Sequence, residues 1–173
     1  VFGTMAWRSM ATAKAAGLLA EAMTVAEAPV TPPVAGETGK LPVQPAGTFP
    51  SEKARLEAAL PKFKAVADAY SGNAAGQMAR YREAAALVAL GRTDEGIALY
   101  QGLTTGTGLL AAMAKLGMAE AQIAGGKFDA AATALSELAA KGGDDMPVDG
   151  VLMQLGRAYR LGGKAADAKK SFQ

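Results

Sequence analysis

Arg157 and Arg160, in LGRAYRLGG, stand three residues apart on one helical stretch, a spacing at which two guanidinium groups can clamp one carboxylate. A solvated helix face is the more ordinary reading. Met78 and Met113 suggest apolar recognition, because methionine is unbranched, polarizable and able to adapt to varied segments. The alternative is that they fill gaps against a neighbouring helix, which this same chain can supply. Asp144, Asp145 and Asp149 in KGGDDMPVDG offer oxygen ligands for calcium, but the spacing is not that of an EF-hand and no glutamate closes the loop. A turn with a helix N-cap is the expected role. QGLTTGTGLL has the glycines of a phosphate loop without its lysine, follows no strand, and reads as a connection between helices.

Composition removes most other chemistry. The 173 residues contain no histidine and no cysteine, so the commonest general base, the thiolate nucleophile and sulfur-ligated zinc are excluded. No nucleophile and base pair can be named, and the sequence implies no catalytic residue, no cofactor and no metal; the chain reads as non-enzymatic. Its 18 basic and 16 acidic residues are spread without runs of like charge, which argues against a nucleic-acid partner. No small-molecule substrate is evident either. A protein or peptide is the partner that remains.

The elements that would position these residues are helical. Half of the chain is apolar but only 6% is aromatic, and alanine, the best helix former and a poor strand former, is abundant. Residues 1–28 lack proline and read as one helix. Residues 29–50 hold six of the eight prolines and read as a semi-extended linker. From Ser51 helical patterning resumes, with Pro61 inside the segment Ser51 to Tyr70, where a kink or break is expected.

Within 51–173, ALGRTDEGIALY, IAGGKFDAAATAL and RLGGKAADAKKSF share one shape: a helix ending in glycine, a short turn and a second helix. Gly91, Gly126 and Gly163 are spaced 35 and 37 residues apart. A helix-pair unit repeating near 34 residues resembles the tetratricopeptide repeat, and the fold expected is an all-α helical-hairpin solenoid. The last unit carries the resemblance at Leu155, Gly156, Tyr159, Gly163, Ala168 and Phe172. The preceding unit has Ala119, Gly126, Phe128, Ala131, Leu135 and Leu138, with Gln122 where an aromatic is usual. The first has Ala84, Leu87, Gly91, Tyr100 and Leu103, with Gly96 in place of alanine, and a half unit before it offers Ala59, Phe63 and Val66. The pattern breaks off in mid-helix at Gln173, so the array is expected to continue.

In that family the concave face is lined by first-helix side chains at fixed offsets before the turn glycine. Carried onto this sequence, the groove contains Met78, Tyr81, Val88, Met113, Leu116, Glu120, Ile123, Met153, Arg157 and Arg160. Relatives that grip a carboxy-terminal carboxylate use lysine and asparagine where this chain has Tyr81 and Ala85, so that activity is not implied. Val1, Phe2, Met5, Trp7 and Arg8 form either a sticky helix face or the end of a membrane anchor leaving the bilayer. The layout of short apolar helix, Pro-rich segment and degenerate repeats resembles single-anchor bacterial envelope proteins related to the ancillary Sec translocon subunit. That resemblance implies an inner-membrane anchor, repeats in the periplasm, and work as an adaptor or chaperone. The alternative is a permanent structural subunit of a larger membrane complex with no exchangeable client.

Overall fold

A computed structural model describes residues 2–34, 42–141 and 147–171, with side chains from Ser9 onward. The described residues form helices α1 (Phe2–Ala26), α2 (Glu52–Ala69), α3 (Ala74–Ala89), α4 (Thr93–Leu103), α5 (Gly108–Ala124), α6 (Phe128–Lys141), α7 (Val148–Leu161) and α8 (Ala165–Lys170). Among them there is no strand beyond two isolated bridges, so the all-α expectation holds. Contacts divide the chain into two compact units, residues 1–90 and 91–173.

In the first unit, polar caps fix where helices begin. The Ser51 hydroxyl accepts from the Ala54 N–H at 3.1 Å, and Asn73 Oδ1 accepts from the Gly76 N–H at 2.9 Å, each satisfying a donor the helix itself cannot. Ala22 of α1 packs with Ala59 and Phe63 of α2, while Leu18, further back on α1, packs with Val66 and Ala67, further along α2. The two helices are therefore antiparallel. Ala15 and Ala22 retain no accessible surface, so the backbones approach closely. Ala79 brings α3 into the same cluster as Val66 and Ala67, and α1 touches both α2 and α3.

That arrangement corrects three expectations. The Ala59, Phe63 and Val66 helix is not a lone half unit, because α1 supplies its partner. The Pro-rich segment is not simply extended, since its described parts close on themselves: Thr31 N–H donates to Phe49 O at 2.9 Å, Phe49 N–H to Pro29 O at 3.0 Å, and Val34 and Val43 exchange two bonds at 3.0 Å. Gln44 Nε2 adds bonds to Thr31 O at 2.9 Å and Thr48 Oγ1 at 2.6 Å. Finally, of the kink or break expected at Pro61, the break is absent, since α2 runs from Glu52 to Ala69 through it. Pro61 and Glu57, whose carbonyl loses its donor, are both exposed, the setting in which a missing helix bond costs least.

The second unit is built around two turns of matching geometry. Gly126 (φ +75°) sends its N–H to Ile123 O at 3.1 Å, and Lys127 N–H reaches Gln122 O at 2.7 Å. Gly163 (φ +77°) does the same with Arg160 O at 3.3 Å, and Lys164 with Tyr159 O at 2.8 Å. Left-handed backbone at these positions is why glycine stands there, and the paired bonds satisfy the last carbonyls of α5 and α7. Between the turns lies a core of Ile123, Ala131, Ala132, Leu135, Val151 and Leu155. Leu135 is the one large side chain wholly removed from solvent among the described residues, so this is a core of many small contacts.

No helix among the described residues is long and apolar enough to cross a membrane. Lys14 and Glu21 interrupt α1, which leaves the anchor expectation without support there.

Candidate partner-binding face

Helix α5 presents Met113, Leu116 and Glu120 at i, i+3 and i+7, and α7 presents Met153, Arg157 and Arg160 at i, i+4 and i+7, so each set shares one helical face. The two helices touch one another. Met153 is 65% exposed, a large apolar side chain left in solvent. Met113 is half-buried, and Leu116 is half-buried against the core cluster. Arg157 and Arg160 are exposed.

Glu120, exposed on α5, feels the charge of Arg157 on α7, although no ion pair joins them. Partial burial pushes its carboxyl above the usual carboxylate range, and the Arg157 cation pulls it back down. The pair therefore faces across α5 and α7. A partly buried carboxylate within reach of an arginine's charge, on helical faces that also bear Met113, Leu116 and Met153, gives an apolar strip with a polar edge.

Ile123 departs from the expected groove. It is 4% exposed and belongs to the core with Ala131 and Leu135, because it lies at the edge of the stripe furthest round from Met113, on the Leu116 side that leans against the core. Met78, Tyr81 and Val88 are half-buried on α3 of the first unit, whereas the other groove residues belong to the second. Leu161 (42% exposed) at the end of α7 and Leu109 (50%) at the start of α5 add apolar surface that offset counting overlooked. Their only signal in the sequence was a leucine beside a helix end.

The remaining candidates separate. Asp144, Asp145 and Phe172 lie outside the described residues, as do Val1 and the side chains of Phe2, Met5, Trp7 and Arg8. Asp149 sits in the exposed first turn of α7, where a carboxylate complements the helix dipole. QGLTTGTGLL spans the end of α4, the connection and the start of α5.

Two further concavities open in the first unit. One, of about 390 Å³ between α1 and α2, is floored by Leu18, Ala65, Val66 and Ala69 and edged by Lys14, Glu21 and Lys62. The other, of about 230 Å³, lies among α1, α2 and α3 over Met23, Leu56 and Phe63, with Arg82 at its rim.

No family model, no curated protein and no solved structure matches this chain.

Proposed function

We propose that this chain is a non-enzymatic protein-interaction scaffold of tetratricopeptide-like build, and that the α5/α7 face holds an apolar segment of a protein partner. The observation that carries the reading is Met153, 65% exposed on the face that also bears Arg157, across from Glu120. Methionine suits a surface that must adapt to its ligand, and the polar edge sets the orientation of the bound segment.

The repeat reading has its own support in side chains that recur with the period of the turns. Thr93 Cγ2 lies 3.3 Å from where a Cβ on Gly125 would sit, and Phe128 Cβ lies 3.1 Å from the same point on Gly162. The residue opening each second helix thus caps the glycine that ends the next first helix. Such translation from unit to unit is how a solenoid buries surface.

Selection of a displayed random-peptide library on the purified chain tests the reading. Enrichment of apolar segments is expected, and Met113→Asp with Met153→Asp should abolish it while the helical circular dichroism stays unchanged. Enrichment that survives both substitutions overturns the proposal. A chain that is insoluble alone and rescued only by co-expression would favour the permanent-subunit alternative.

A further inference from the structure

Helix α1, on one side of the groove it forms with α2, carries a charge pattern that complements itself, while Lys62 of α2 also lines the groove. On α1, Met10, Lys14, Gly17 and Glu21 follow one another at intervals of four, three and four residues and so share a stripe. That stripe lies well away from the buried line of Ala15 and Ala22. Met10 is 73% exposed, and Lys14, Gly17 and Glu21 are exposed. No ion pair among the described residues engages Lys14 or Glu21, although neighbouring α2 charges such as Lys64 and Asp68 are paired at 3.0 Å. Beside the stripe the groove floor is apolar, formed by Leu18 and by Val66 of α2.

Lys14 and Glu21 stand at equal distances either side of the Gly17–Leu18 step. When two identical helices cross antiparallel at that step, Lys14 of each meets Glu21 of the other, and one contact yields two identical ion pairs. Two-fold symmetry demands this self-complementarity of an interface. No atom lies within 4 Å of where a Cβ on Gly17 would sit, so the crossing point is open to a second backbone.

We propose that this face binds a second copy of the chain, with the two α1 helices antiparallel, Gly17 at the two-fold axis, and Lys14 paired reciprocally with Glu21. Leu18 and Met10 supply the apolar surface that the contact covers. Lys14 and Glu21 set its direction, because a parallel crossing in that register would place lysine on lysine and glutamate on glutamate.

Sedimentation velocity on the full chain tests the proposal. A dimer is expected, and Lys14→Glu or Glu21→Lys alone should weaken it about tenfold, since each turns both attractions into repulsions. The double substitution restores the pairs in reverse and should recover the dimer. The chain has no cysteine of its own, which makes a second measurement clean. Mixed Lys14→Cys and Glu21→Cys chains should cross-link on oxidation, while neither forms cross-links alone. A monomeric chain, a dimer indifferent to the single reversals, a double reversal without rescue, or cross-linking of Lys14→Cys with itself overturns the proposal.

Discussion

Lys127 Nζ lies 2.7 Å from Asp94 Oδ1, joining the turn that follows α5 to the start of α4 across 33 residues of sequence. Lys164 Nζ repeats the relationship with Asp129 Oδ1 at 2.9 Å. In both, the lysine directly follows the left-handed glycine, and the acid opens the previous second helix. Asp129 holds the Lys164 ammonium above the usual lysine range. Both pairs are exposed, so they add little to stability.

A double-mutant cycle on Lys127→Ala and Asp94→Ala should return a coupling of about 0.5 kcal/mol or less, falling towards zero in about 1 M salt. Urea unfolding at low and high salt measures it. A coupling that persists at high salt would show a desolvated pair instead of a surface one.

Gly117→Ala should destabilise the chain by about 1–3 kcal/mol, although alanine in place of a helical glycine ordinarily stabilises by up to about 1 kcal/mol. The added Cβ would lie 2.8 Å from Tyr100 Cζ and 2.9 Å from Cε1, and Tyr100, only 4% exposed, has nowhere to swing. Thermal unfolding checks the sign. Tyr100→Leu in the same chain should recover part of the loss, because a shorter side chain vacates that space.

Two carboxylates should respond to pH with opposite signs. Hydrogen bonds from Arg80 and Lys64 hold Asp68 below the usual aspartate range, so its contribution is present above the unfolded pKa and is lost as pH falls through the folded one. Glu120 is raised by burial, so the folded state binds a proton more readily than the unfolded state, and its contribution falls as pH rises through that window. Carbon-detected titration of both side chains reads the two directions. Arg157→Ala should raise Glu120 further, and an unchanged Glu120 midpoint would separate the two residues.

The turns were legible because Gly126 and Gly163 need a left-handed backbone that other residues rarely adopt, and that need shows in sequence as a glycine at a fixed interval. Helical content was legible through alanine. The pairing of α1 with α2 was not, because Ala15, Ala22 and Ala59 look alike whether they face a core or solvent, and the prolines between suggested separation. Ile123 was misplaced for a related reason. Offsets from a turn define a stripe of a helix and not how far round the core reaches, and here the stripe's edge at Leu116 and Ile123 already lies against the core.

The closed Pro-rich segment has a consequence for the order in which the chain folds. Helices α5 and α6 meet after only a short glycine turn, whereas the whole of 27–51 separates α1 from α2 in sequence. The entropy of that closure precedes any reward from packing Ala22 on Phe63, so α1 should dock late and exchange its amide hydrogens sooner than α6. The bonds of Thr31 and Phe49 at the loop's base act as a latch. Once they form, the length of chain beyond them no longer matters to the helices, which makes the loop a place where sequence can be added at little thermodynamic expense.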